Sequence, residues 1–256
     1  FRWITNFVRG DFGHSMFWGA PVTRVVGDRL SLTVVVSFTS LVFAWAIAIP
    51  VGLYSAVKQY SIGDYVFTFL GFIGLAIPNF MLALVLMYVN SQFFGGSVGG
   101  LFSNEFVNAP WSFAKVLDLL GHLWLPVIVV GTAGTAGTIR IMRNNMLDEL
   151  NKPYVITARA KGLKEMRILL KYPFRMAVNP VVSTAGWLLP QLIGGAVLVS
   201  VVLDLPTTGP VFLEALRQQD MYVAGFFVMA LATLTVIGTL LSDLLLAVID
   251  PRIRYR

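Results

Sequence analysis

The chain has 256 residues, of which 57% are apolar and only 12% charged, a composition that excludes an ordinary soluble domain and calls for lipid. Nineteen Lys and Arg against thirteen Asp and Glu give +6, but in so apolar a chain the placement of the charges matters more than their sum, and no nucleic-acid partner is expected. The absence of cysteine excludes a disulfide framework, a thiolate metal site and a cysteine nucleophile.

Residues 1–29 show no charged n-region followed by an apolar h-region, so no signal peptide is read there. Phe1, Ile4 and Val8, with Trp3 and Phe7, recur at helical spacing and predict a short helix lying on the membrane or protein surface. Gly10-Asp11-Phe12-Gly13 reads as a turn. Residues 1–29 are thus expected to form an external segment, and 30–256 the membrane domain. Beyond residue 29, five charge-free apolar runs follow one another: 30–57, 66–94, 119–139, 176–203 and 221–242. About 20 apolar residues cross the hydrocarbon as a helix, so each run predicts a span, and the fold class is an all-α bundle of five spans.

Orientation follows from the loops. The segment 140–175 carries nine basic and three acidic residues, and the tail adds Arg252, Arg254 and Arg256; both are predicted to be cytoplasmic. The loops after 94 and after 203 are poor in basic residues and are predicted to be external. This alternation places residues 1–29 outside although they hold Arg2, Arg9, Arg24 and Arg29. An upstream helix would resolve the conflict, so the natural protein is expected to have six spans with both ends in the cytoplasm.

Pro50, Pro78, Pro126 and Pro190 fall inside or at the ends of apolar runs, where each removes a backbone donor and favours a kink. Helix irregularity and a hinge role both fit. Small residues cluster at Gly131, Gly134 and Gly137 and again at Gly194 and Gly195; close helix packing and the lining of a path are both compatible with them. No ionisable residue lies at mid-span, as a proton- or ion-coupled carrier would require. His122, close to Trp124 near the start of its run, reads as an interface residue rather than a relay. No metalloprotease, nucleophile-elbow or Walker phosphate-loop pattern occurs. The chain is therefore read as no enzyme, with no cofactor, and the energy for any active transport must come from another subunit.

The basic segment is too long to serve only as a topological marker. Pro153 suits a helix start and Gly162 a C′ position, predicting a short helix over 154–161 and a second from Leu163. Such a helix–Gly–helix element can press its first helix into a groove on a soluble partner.

The stretch Tyr154-Val-Ile-Thr-Ala-Arg-Ala-Lys-Gly-Leu163 resembles the cytoplasmic EAA loop of ABC importer permeases, in the form typical of oligopeptide and dipeptide permeases. Gly10-Asp-Phe-Gly-His-Ser15, Ile77-Pro78-Asn-Phe80, His122-Leu-Trp-Leu-Pro126, Arg140-Ile-Met-Arg143, Gly194-Gly-Ala-Val-Leu198 and Asp250-Pro-Arg-Ile-Arg254 are similar to the same family in order and spacing. The chain departs from the general pattern at Ile156, where a Glu is usual, and at Arg175, where a Pro is usual. Ser200 stands for an acidic residue, and Pro206-Thr207 for a Pro-Gly pair.

The resemblance implies a type I, MetI-like bundle in a prokaryotic inner membrane, forming half of a translocation path for peptides. It implies as partners a second, homologous permease, two ATP-binding subunits and an external substrate-binding protein. The expected ATPase-coupling residues are Tyr154, Thr157, Ala158, Arg159, Ala160, Lys161, Gly162 and Leu163, with Arg159 and Lys161 as ion-pair partners. Pro78, Pro126, Gly131, Gly134, Gly194 and Gly195 are the expected hinge or packing residues. Nickel chelates, glutathione and oligosaccharides stay open as substrates. From other classes, an ion-coupled carrier or channel and a membrane-anchoring subunit without a path of its own are the competing readings.

Overall fold

The computed structural model describes residues 5–249 apart from 8 and 95–98. The helical spacing of Phe1, Trp3, Ile4 and Val8 and the basic tail from Asp250 to Arg256 lie outside the described residues. Within them the chain is helical, and the sole β feature is an isolated bridge between His14 and Pro21.

The described helices are α1 (Val22–Val57), α2 (Ile62–Ala76), α3 (Asn79–Val89), α4 (Phe113–Leu150), α5 (Pro153–Ala160), α6 (Glu165–Lys171), α7 (Pro173–Ser183), α8 (Ala185–Gly195), α9 (Val197–Val202), α10 (Thr208–Arg217) and α11 (Met221–Ile249). A π-helical turn, Asn90–Phe94, continues α3. Three helices, α1, α4 and α11, are long and apolar enough to cross a membrane, and α2 with α3 makes a fourth span if the pair counts as one. The five apolar runs therefore take three forms. Three become single long helices. The run 66–94 is interrupted at Ile77–Pro78, where both residues leave the helical region (ψ 121° and 135°), because proline excludes helical backbone from the residue before it. The run 176–203 is divided into α7, α8 and α9 at Thr184 and Ala196, and the Thr184 hydroxyl donates to the Val181 carbonyl at 2.6 Å, a local bond that competes with the helical ladder. The helices run on through Pro50 and Pro126.

The 38 residues of α4 extend about 57 Å at about 1.5 Å per residue, roughly twice the hydrocarbon thickness. Its last turns, carrying Arg140, Arg143, Asp148 and Glu149, reach beyond the apolar run and deliver the chain to α5.

The chain divides into two compact units. The first comprises Phe1–Ser40, Pro78–Val130 and Pro190–Leu234, the second Leu41–Ile77, Gly131–Leu189 and Thr235–Arg256. In the first, Val22, Val26, Val211, Ala215, Val223 and Phe226 form a core against which Phe7, Phe12 and Trp18 pack. Gly13 adopts φ +87°, and a Cβ there would stand 2.3 Å from Tyr222 Cδ1, so both conformation and space demand glycine. In the second unit, Met142, Met146, Leu169, Ala177, Val181 and Val182 form the core with Trp45, Ile49 and Leu53 packed against it.

Candidate functional site

The helix predicted over 154–161 is α5, Pro153–Ala160. Lys152 is extended (φ −71°, ψ 147°) and Pro153 takes the first helical position, where its missing N–H costs nothing. The Thr157 hydroxyl donates to the Pro153 carbonyl at 2.9 Å. At the other end Lys161 N donates to the Thr157 carbonyl and Gly162 N to the Arg159 carbonyl. Gly162 then reverses the chain at φ +70°, in the left-handed region that ordinary residues avoid. Helix α6 follows after Lys164, with Glu165 in its first turn, where a carboxylate complements the helix dipole.

Two turns of helix cannot hold themselves in water. What fixes α5 is a small core of its own: Val155, Ala158 and Ile168 are buried and packed by Leu163 and Tyr172. Arg159 adds a fork across the turn, its Nη2 2.6 Å from Glu165 Oε1 and its Nε 3.2 Å from both carboxylate oxygens. That hydrogen-bonded pairing holds the Glu165 carboxyl below its ordinary range and raises the Arg159 guanidinium. The Tyr154 hydroxyl donates to the Glu149 carboxylate.

Among the described residues the outward face is exposed. Ile156 is 58% and Met166 66% exposed, and Tyr154, Leu170, Thr157, Ala160 and Lys161 are exposed beside them. Of the residues expected at the coupling contact, the structure brings Tyr154, Thr157, Ala160 and Lys161 onto this surface. Ala158 and Leu163 turn inward to the small core, and Arg159 is engaged by Glu165. Ile156, noted from the sequence only as a departure from a pattern, is the most exposed large hydrophobic side chain of α5.

The expected hinge and packing residues scatter. Pro78 sits in the interruption between α2 and α3, and Pro126 inside α4. Gly131 is buried and Gly134 stands in ordinary contact distance of Leu188. Gly194 and Gly195 are exposed, with open space among the described residues where a Cβ would be. The tight helix approach lies elsewhere, between Gly186 and Gly238: a Cβ on Gly186 would fall 2.8 Å from Thr239 Cα, and one on Gly238 3.0 Å from the Gly186 carbonyl oxygen. Gly52 similarly accepts Met142 and the Ile139 carbonyl.

Sequence reasoning also passed over a buried ion pair. Asp64 is buried, and Arg143 donates to both its oxygens from Nε at 3.1 Å and Nη2 at 3.0 Å. Tyr60 N donates to the same carboxylate, and Asp64 N to Ser61 Oγ. Ser61-x-x-Asp64 is a capping-box spacing, and that signal could have placed Asp64 at a helix start. Lys115 is buried with Nζ 2.7 Å from the Ala109 carbonyl and 4.8 Å from the centre of the Phe102 ring. His122 Nδ1 lies 2.8 Å from the Asp118 carbonyl, one turn back. Among the described residues no three of His, Asp and Glu come together as a metal-binding group.

The sequence pattern of the family described as "Binding-protein-dependent transport system inner membrane component" matches residues 48–255. The chain is 41% identical over 256 residues to an oligopeptide transport system permease protein, AppB, of Bacillus subtilis, covering 99% of this chain and 79% of the relative. It is 32% identical over 271 residues to the dipeptide transport system permease protein DppB of Escherichia coli, covering 100% and 80%, and 33% identical to a peptidoglycan transport system permease protein, YejB, of Agrobacterium fabrum, covering 98% and 70%. Among solved structures, a chain from an inward-facing form of the MetNI methionine ABC transporter shares the fold, with a TM-score of 0.61 over 85% of this chain and 93% of that one at 17% identity. By this match across most of its length and by identity to relatives of which it covers about four-fifths, the chain belongs to the family of binding-protein-dependent transport system inner membrane components.

Proposed function

We propose that this chain is the membrane-spanning permease subunit of an ABC importer for peptides in a prokaryotic inner membrane. Its likeness, at 41% and 32% identity over its whole length, to an oligopeptide and a dipeptide permease carries the substrate class. The helical membrane fold supports a subunit that pairs with a second permease to enclose a path, fed from outside by a substrate-binding protein. The chain supplies contacts rather than bond chemistry, and ATP hydrolysis belongs to two separate subunits.

The outward face of α5 and α6 supports the docking role. Ile156, Met166, Tyr154 and Leu170 give an apolar centre, and Lys161 a flanking charge, the composition expected of a helix seated in a groove. Gly162 sets the turn, while Val155, Ala158 and Leu163 keep α5 in register. Closure of the ATP-binding subunits would displace α5 and α6, and α4 and α7, continuous with them in sequence, would transmit that displacement to the spans. Two states related by such a movement suffice for alternating access.

The test is uptake of labelled di- and oligopeptides into proteoliposomes holding this chain, the second permease, the ATP-binding subunits and the binding protein. Uptake is expected only with ATP and with the binding protein present. Accumulation driven by an ion gradient with the ATP-binding subunits omitted would overturn the importer reading and favour an ion-coupled carrier. ATP-dependent uptake of an oligosaccharide, glutathione or a nickel chelate in place of peptides would keep the importer and replace the substrate.

A further inference from the structure

The second unit carries two recesses that share a wall. One, of about 260 Å³, is lined by Tyr60, Tyr65, Asp64, Arg140, Arg143 and Asn144 at its polar end. The other, of about 270 Å³, is lined by Phe43, Ile47, Val51, Leu70 and Gly74. Phe67, Gly71, Ala136 and Ile139 line both, so the two are consecutive parts of one groove, polar at one end and apolar at the other.

The charges at the polar end do not cancel. Arg143 is committed to Asp64 through two hydrogen bonds, so that pair is neutral overall. Arg140 is exposed, meets no carboxylate within ion-pair distance among the described residues, and lies 5.7 Å from the centre of the Phe72 ring. One positive charge, the Asn144 amide and two tyrosines therefore face the mouth.

The depth of the groove is fixed by the sequence. Arg140 is the first charged residue after the apolar run 119–139, and Asp64 stands just before the run that begins at 66. The polar mouth lies where both runs end, at a membrane boundary, and the apolar recess lies beside residues of the runs themselves. The basic loop that follows puts this boundary on the cytoplasmic side.

We propose that the groove binds an anionic phospholipid of the inner leaflet, with its phosphate at Arg140 and Asn144 and an acyl chain along Phe67, Gly71 and Leu70. An amphiphile matches both ends of the groove. A purely apolar helix from another subunit would cover the recess but bring no counter-charge to Arg140 while shielding it from water, which is costly. A guanidinium on the inner side of a membrane, beside tyrosines and an apolar trough, is a chemistry that favours an anionic headgroup over a zwitterionic one. Arg140 and Arg143 lie on α4 a few turns before α5, so a lipid held here would brace the root of the coupling element.

The experiment uses the assembled transporter in nanodiscs of phosphatidylethanolamine and phosphatidylglycerol, released into a mass spectrometer. The native protein is expected to retain phosphatidylglycerol in preference to phosphatidylethanolamine. Arg140→Gln should weaken that retention about fivefold, the worth of one basic side chain at a charged surface. Gly71→Leu should abolish it by filling the shared wall; a Cβ there meets only Ala136 Cβ, at 3.8 Å, so this variant tests the groove even if loss of Arg140 impairs assembly. Equal retention by all three proteins, or no preference in the native one, would overturn the proposal. So would a photoreactive residue at Phe72 that crosslinks to another subunit instead of to lipid. Lipid retention is read without transport, so its failure is separate from failure of the importer reading.

Discussion

The Asp64–Arg143 pair is a buried, multiply bonded link in the second unit: the carboxylate is buried and receives donors from two guanidinium nitrogens and from Tyr60 N. Its value lies in the cost of separating it. Asp64→Ala would leave Arg143 three-quarters buried without a partner, and a loss of about 3 kcal/mol is expected. Asp64→Leu with Arg143→Met, which removes both charges, should recover most of that loss. Unfolding of the detergent-solubilised protein checks both; equal destabilisation by the single and double variants would show that the pair is not what stabilises this corner. Asp220 gives a pH test in the first unit. Burial raises its pKa, but hydrogen bonds from Ser15 Oγ and from the amides of Val223, Phe17 and Tyr222 outweigh burial, and the carboxyl lies below its ordinary value. A depressed carboxyl contributes stability that is fully present above its unfolded pKa, about 4, and is lost as pH falls through the lower folded value. The wild type should therefore lose thermal stability below about pH 4, and Asp220→Asn should start lower and show a shallower decline; identical acid profiles would remove Asp220 from the account.

Among elements, α5 and α6 separate what local sequence specifies from what it leaves open. Pro153 and Gly162 mark the boundaries of α5 by backbone chemistry alone, and the helix appears where they place it. The inward register was not legible, because two turns carry too few apolar positions to define a stripe: Val155 is buried and Ile156 exposed, and only packing on Ile168 distinguishes them. The Arg159–Glu165 fork escaped for a similar reason, since it closes across a turn rather than along one helix face. In the run 176–203, Gly194 and Gly195 stand directly before the break at Ala196, but no Gly or Pro stands at Thr184, so the division there was not legible. Asp64 and Arg143 lie 79 residues apart, beyond any local pattern. The fork yields a test of where Arg159 acts. Arg159→Glu removes it at a stability cost below about 1 kcal/mol, because both groups are exposed. Arg159→Glu with Glu165→Arg rebuilds the pair with its polarity reversed. If Arg159 also meets an ATP-binding subunit, both variants should insert normally yet hydrolyse ATP without transport. Recovery of coupled uptake in the exchanged protein would confine Arg159 to positioning α5. Gly162→Pro should uncouple as well, because proline cannot adopt φ +70° and removes the amide that Gly162 donates to the Arg159 carbonyl.

Taken over the whole molecule, the division into two units follows the charge pattern of the loops. The first unit contains 1–29, 99–118 and 204–220, the segments predicted to be external, and the second contains 140–175, predicted to be cytoplasmic. Hydropathy and loop charge assign each loop a side from local sequence alone, because a charged loop crosses hydrocarbon only at high cost wherever it stands in the chain. The orientation can then be tested without background, since the chain has no cysteine. Glu105, Lys161 and Asp204 are exposed side chains, the first and last in the first unit and Lys161 in the second. A cysteine at Glu105 or Asp204 should react with a membrane-impermeant maleimide added to intact cells. A cysteine at Lys161 should react only after the membrane is opened, and the assembled ATP-binding subunits should then slow its labelling, because the docking surface of α5 would be covered. Labelling of Lys161→Cys from outside would invert the topology and remove the coupling role with it. Labelling from inside at a rate unchanged by the ATP-binding subunits would keep the topology and place their contact elsewhere.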